Sequence, residues 1–139
     1  MATNISKLII GASKEKVWDA LTNPIKVKMW QYGSDLRTDW IVGNEIRFRT
    51  EWEGTIYEQW GTILEFTPNE QLRYSLYAPR PDLADLPENY FEMLYKLSEA
   101  DGGTALEIIQ IDNRSGAVQE PEQGEENPVL KLLKELIEE

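Results

Sequence analysis

The chain keeps its one substantial amphipathic helix for the end. Between Pro128 and Glu138, Val129, Leu130, Leu132, Leu133, Leu136 and Ile137 form a broad apolar stripe opposite Lys131, Lys134, Glu135 and Glu138. Asn127 is a suitable N-cap and Pro128 suits the first helical position. A helix this short is marginal alone in water, so its stability has to come from what it covers. Upstream, from Leu36 onward, the apolar residues recur with the period of two that marks strands. An antiparallel sheet with one face to bury and one helix to bury it with tends to enclose a cavity. The expected fold class is α+β, in one domain over residues 1–139.

The first residues fit the same plan. Ile5 to Gly11 reads as a strand, and Ser13 is placed to cap a short helix whose Val17, Trp18 and Leu21 share a face. Asn23 followed by Pro24 opens a second short helix, Ile25 to about Gln31, that ends near Gly33. The tandem should prop the sheet, with Trp18 and Trp30 packed against it.

In the next strand Ile46, Phe48, Thr50 and Trp52 alternate with Arg47, Arg49, Glu51 and Glu53, the pattern of a strand with one solvated face. Turn signals at Glu53-Gly54, Thr67 to Glu70 and Asp101 to Gly103 delimit further strands near 55–66, 71–78, 89–99 and 104–112. Leu72, Tyr74 and Leu76, then Phe91, Met93, Tyr95 and Leu97, are the expected inward sets. Segment 55–66 is ambiguous: Glu58, Trp60, Leu64 and Phe66 share one parity, and Tyr57, Gln59, Gly61 and Ile63 the other. A bulge near Gly61 would switch the faces. Pro79 to Pro87 should be a loop over an edge or mouth, and Asn113 to Glu126 a mobile connection.

Composition removes most catalytic options. There is no Cys and no His, so thiolate nucleophiles, Cys or His metal sites and His-based triads are excluded. No acidic cluster has the spacing of a metal loop; no metal or cofactor is expected. A net charge of −11 would repel phosphate backbones, so nucleic acid is not an expected partner. Much of the excess lies after Gln119, where seven Glu face two Lys, the pattern of a solvated loop and helix face. No apolar run approaches the roughly 20 residues needed to cross a bilayer, and the start lacks a secretory signal; a cytoplasmic location is expected.

Several segments resemble, in order and along nearly the whole chain, the START-like (SRPBCC) superfamily. They are Val17 to Pro24, Met29-Trp30, Trp40 with Val42-Gly43, Gly61 to Pro68 with Leu72 and Tyr74, and Gly103-Thr104 with Leu106. The branch they are most similar to is the domain related to the activator of the heat-shock-protein-90 ATPase. The resemblance implies a helix-grip fold: a curved seven-stranded antiparallel sheet around the C-terminal helix, two short helices after the first strand, and a hydrophobic pocket between sheet and helix. Two features depart from the pattern: Asn127-Pro128-Val129 replaces the common Gly-Trp pair at the last helix, and the Pro79–Pro87 loop is long.

That superfamily has no shared catalytic motif, so function has to be argued from the site. Pocket walls are mostly apolar with a few placed polar groups, which nominates Phe48, Trp52, Trp60, Tyr74, Leu76 and Met93 from the sheet and Leu133 and Leu136 from the helix. The expected function is binding of a small hydrophobic molecule, lipid-like or aromatic. One alternative is a co-chaperone-type protein that stimulates a chaperone ATPase. Another is a polyketide-cyclase-like enzyme, which would need a pocket carboxylate or phenol; Glu58, Glu92 and Tyr74 are its candidates. No catalytic residue is assigned, and the oligomeric state is left open.

Overall fold

In the computed structural model, which describes residues 1–139, the alternating segments form one seven-stranded antiparallel sheet. The strands are β1 (Ala2–Ile10), β2 (Asp35–Thr38), β3 (Glu45–Trp52), β4 (Thr55–Thr67), β5 (Gln71–Leu76), β6 (Phe91–Ala100) and β7 (Gly103–Asp112), in the order β1-β7-β6-β5-β4-β3-β2. Helices α1 (Lys14–Thr22) and α2 (Pro24–Trp30) follow β1, and α3 (Pro128–Glu138) closes the chain. The sheet is curved, and all three helices lie on its concave side, the helix-grip arrangement. No helix is long and apolar enough to cross a membrane.

The caps sit where side-chain oxygens predict them. Ser13 Oγ accepts from the Lys16 N–H at 3.2 Å, Asn23 Oδ1 from Ile25 at 3.0 Å, and Asn127 Oδ1 from Val129 at 2.9 Å. Two indoles then fix the helical prop. Trp30 Nε1–H donates to the Ala20 carbonyl at 2.8 Å and Trp40 Nε1–H to that of Thr22 at 3.1 Å. Trp18 meets Phe66 with ring centroids 5.3 Å apart, so α1 is anchored to the sheet by aromatic contact.

The ambiguity in β4 resolves three residues beyond the expected place. Register shifts between Ile63 and Glu65, which leaves Leu64 as the extra residue. Before it, Tyr57, Gln59, Gly61 and Ile63 face inward; after it, Phe66 does. Gly61 matters for a different reason. A Cβ there would lie 1.8 Å from the Ser75 carbonyl oxygen, so only glycine lets β4 and β5 approach at the bend.

The connection from Asn113 to Glu126, expected to be mobile, lies along the outer edge of β1. Lys7 N–H donates to the Gln123 carbonyl at 2.9 Å and Gln123 N–H to that of Ile5 at 3.0 Å, so the segment satisfies backbone groups that an edge strand would expose. The Pro79–Pro87 loop folds over the convex face. Asp85 accepts from Trp60 Nε1–H at 3.0 Å and from the Tyr90 hydroxyl at 2.5 Å, and Tyr77 packs between the two rings.

Candidate functional site

Between the N-terminal end of α3 and the sheet lies a cavity of about 530 Å³. Its apolar wall comes from the inward sets of the strands: Phe48 on β3, Tyr74 and Leu76 on β5, Phe91, Met93 and Tyr95 on β6, and Ile108 on β7. Val129 and Leu130 of α3 roof it, Trp30 closes the α2 side, and Tyr32 and Tyr57 stand at its rim. Ser6, Gln31, Ser34, Thr50, Gln59 and Asn127 supply the polar groups. No charged side chain lines it.

The feature most able to orient a guest is a pair of buried phenols. Tyr74 and Tyr95 bring their hydroxyl oxygens to 3.0 Å, with the rings edge to face at 5.9 Å; Phe48 packs against the Tyr74 ring at 5.8 Å. Burial raises the Tyr74 phenol well above its usual range, and the neighbouring Tyr95 adds to the effect. Burial also raises Tyr95, with its hydrogen bonds to Tyr74 and Gln31 opposing the shift. Both therefore stay protonated at neutral pH. In such a pair one hydroxyl donates to the other, and the acceptor keeps a hydrogen of its own to offer.

Four of the eight residues nominated from sequence line this cavity: Phe48, Tyr74, Leu76 and Met93. The other four lie elsewhere, each for a physical reason. Trp52 is 64% exposed because it is the last residue of β3, beyond the cover of the helices. Trp60 precedes the β4 bulge on the outward parity, and its indole serves the Pro79–Pro87 loop. Leu133 is fully buried in the solid core, one turn past the cavity roof, and Leu136 packs against that core.

The carboxylates nominated for catalysis also point away. Glu58 faces outward and pairs with Arg47 at 2.8 Å, while Glu92 lies 3.5 Å from Arg73. Arg47, expected to be simply solvated, is held between Glu45 and Glu58 with its guanidinium 5.0 Å from the centre of the Trp60 ring. No group of acidic side chains is placed to hold a metal ion. A larger hollow of about 590 Å³ on the convex face is walled by Asp85, Glu88 and Glu92 and has only three hydrophobic residues among its ten, a poorer match to a ligand site.

Fourteen of the 18 lining residues were not nominated from sequence, among them Trp30, Tyr32, Tyr57, Gln59, Tyr95, Asn127 and Leu130. Tyr95 was legible, since it shares the inward parity of Met93. Tyr57 and Gln59 become legible once a bulge is accepted between them and the inward Phe66, because it brings the two opposite parities to one face. Nothing in the spacing marks Tyr32, which reaches the rim through a turn.

The model of the family described as activator of Hsp90 ATPase homolog 1-like protein matches residues 11–138. The solution structure of ChR145 from Cytophaga hutchinsonii is 36% identical and superposes with a TM-score of 0.70, covering 84% of this chain and 80% of that one. CV1439 from Chromobacterium violaceum, 23% identical, shares the fold over 99% of this chain and 97% of its own, with a TM-score of 0.76. The Aha1 dimer from Colwellia psychrerythraea, 19% identical, shares it over 85% and 81%, with a TM-score of 0.61. No curated protein sequence matches. With its helix-grip fold and a family match that runs through α3, the chain belongs to the activator of Hsp90 ATPase homolog 1-like family, a branch of the START-like superfamily.

Proposed function

We propose that the protein binds a small, uncharged, largely apolar molecule between the sheet and the start of α3. The observation that carries this reading is the wall itself: 18 residues, 12 of them hydrophobic and none charged, around about 530 Å³. That volume falls within the roughly 300–1,000 Å³ typical of small-molecule sites. A charged guest would lose its hydration there without gaining a counter-ion, which costs several kcal/mol. An aromatic or lipid-like guest with one hydrogen-bond acceptor fits better, because the Tyr74–Tyr95 pair has a donor to offer. On this reading the protein is a cytoplasmic carrier or sensor.

A neutral fluorescent probe, N-phenylnaphthylamine, tests it. Binding should be saturable, should change tryptophan emission through Trp30 in the wall, and should raise the melting temperature by roughly 5–10 °C at a hundredfold excess over Kd. No saturable binding of this probe or of a varied lipid and aromatic panel would defeat the reading.

The family description favours a second reading, an interaction protein that stimulates a chaperone ATPase. The net charge of −11 would make such docking salt-sensitive. Salt-sensitive chaperone binding together with no probe binding would move the assignment there. The cyclase-like alternative loses its carboxylates to the outer face, and of its three candidates only Tyr74 borders the cavity, as a phenol that stays protonated.

A further inference from the structure

The turn that joins α2 to β2 carries a residue that the fold alone does not call for. Gln31 ends α2, and the Gly33 N–H returns to the Lys28 carbonyl at 2.9 Å, the long-range bond of a Schellman cap. In that motif the residue after the C-cap adopts the left-handed conformation and is usually glycine. Here it is Tyr32, at φ 50°, although Gly33 stands beside it at φ 83°. A left-handed backbone is costly for a residue with a Cβ, and more so for a bulky one. Burial does not offset the cost, because Tyr32 remains 65% exposed.

An exposed aromatic in a position that glycine usually fills adds little to the core, and departures from local rules of this kind are found at functional sites. Tyr32 also sits at the edge of the cavity. The same turn contributes Gln31 and Ser34 to the wall, and Ser34 is fixed on the far side by the Thr50 hydroxyl at 3.3 Å. Tyr32 thus carries the exposed side chain between these two wall residues. Tyr57, 56% exposed, borders the cavity from β4.

We propose that Tyr32 is the gate of this cavity: the left-handed turn holds its ring at the mouth, where it closes over a bound guest and slows the guest's departure. The proposal rests on the reading that the cavity binds a small apolar molecule. A ring that packs on a guest adds contact in the bound state only, so its effect falls on release more than on entry.

The test is stopped-flow release of N-phenylnaphthylamine into excess cyclodextrin. Tyr32→Gly should release the probe about two- to tenfold faster, the range for losing one aromatic contact. Its unliganded melting temperature should be unchanged or higher, because glycine relieves the left-handed strain. Tyr32→Phe, which keeps the ring, should release at the wild-type rate. Tyr32→Asn, also tolerant of the left-handed region, repeats the test if the glycine variant folds poorly. If the wild type binds the probe and both ring-deleting variants release it at the wild-type rate, the gate is refuted while the cavity reading stands. If the wild type does not bind, the cavity reading falls and takes the gate with it.

Discussion

The two ends of the interface between sheet and α3 are built from the same strand faces, yet one is solid and the other hollow. At the solid end Leu133 and Ile137 meet Ile10, Leu72, Leu97 and Leu106 of the inward sets, with Val17 and Leu21 of α1 completing a core in which each of these residues is buried. At the other end Phe91, Met93, Tyr74 and Leu76 continue the same strands but surround open space. The difference is one of length. α3 has 11 residues, about 16 Å of helix at 1.5 Å per residue, whereas β6 and β7 have 10 each, about 33 Å at the rise of a strand. One short helix, held at its far end by Lys134 on the Ile9 carbonyl at 2.7 Å and Glu138 on the Gly11 N–H at 2.7 Å, fills only half of the curve.

The sharpest way to break this contrast is to insert a charge at each end. Leu133→Asp places an unpaired carboxylate at a site of zero exposure and should cost several kcal/mol, enough to unfold much of the population in a denaturant melt. Val129→Asp, at the partly exposed roof of the cavity, should cost far less, about 1 kcal/mol. Equal losses would mean that the two ends are equally packed.

Enlargement should sort the ends in the opposite sense. Leu106→Phe in the solid end has no room and should cost about 1–3 kcal/mol. Met93→Phe has room, so it should leave the melting temperature within a degree or two and instead weaken probe binding. A smaller effect is expected from the phenol pair. Tyr74→Phe should weaken a guest that carries a carbonyl or hydroxyl by about 1 kcal/mol, measured by calorimetry, and leave a pure hydrocarbon guest unaffected.

The least effect should come from pH. The Arg114 hydrogen bond holds the Asp112 carboxyl below its usual range against partial burial, so this stabilisation is present above about pH 4 and lost as pH falls through the lowered value. Tyr74 is raised, so its contribution is present below the ordinary phenol value of about 10 and lost as pH rises through the shifted one. With no His in the chain and no charged group on the wall, probe affinity should be flat between pH 5 and 8. A step within that window would show that an ionising side chain reaches the guest.

How far these ends could be read from sequence depends on what alternation encodes. Strand parity gives the face a residue occupies, so Leu72, Tyr74, Leu76, Phe91, Met93, Tyr95 and Leu97 were legible, as were the three caps. Parity does not give position along the helix that covers the face. Met93 and Leu97 therefore look alike in sequence, although one borders the cavity and the other packs in the core. Trp52 misled because alternation continues to the hairpin tip after cover has run out. Trp60 misled because a bulge leaves no residue of its own; Gly61 marked a close approach of strands, with the register shift after Ile63. Tyr32 was invisible, since its role depends on a backbone angle that tyrosine rarely adopts.

Whether the hollow end receives an uncharged apolar guest is decided by titrating the wild type and Met93→Trp with N-phenylnaphthylamine and with its anionic sulfonated analogue. An uncharged apolar site should show saturable one-site binding of the neutral probe to the wild type, binding of the anion at least about tenfold weaker because the wall offers it no counter-ion, and loss of both in a Met93→Trp protein that melts as the wild type does. Equal affinity for the two probes, or undiminished binding once the indole fills the cavity, would rule such a site out.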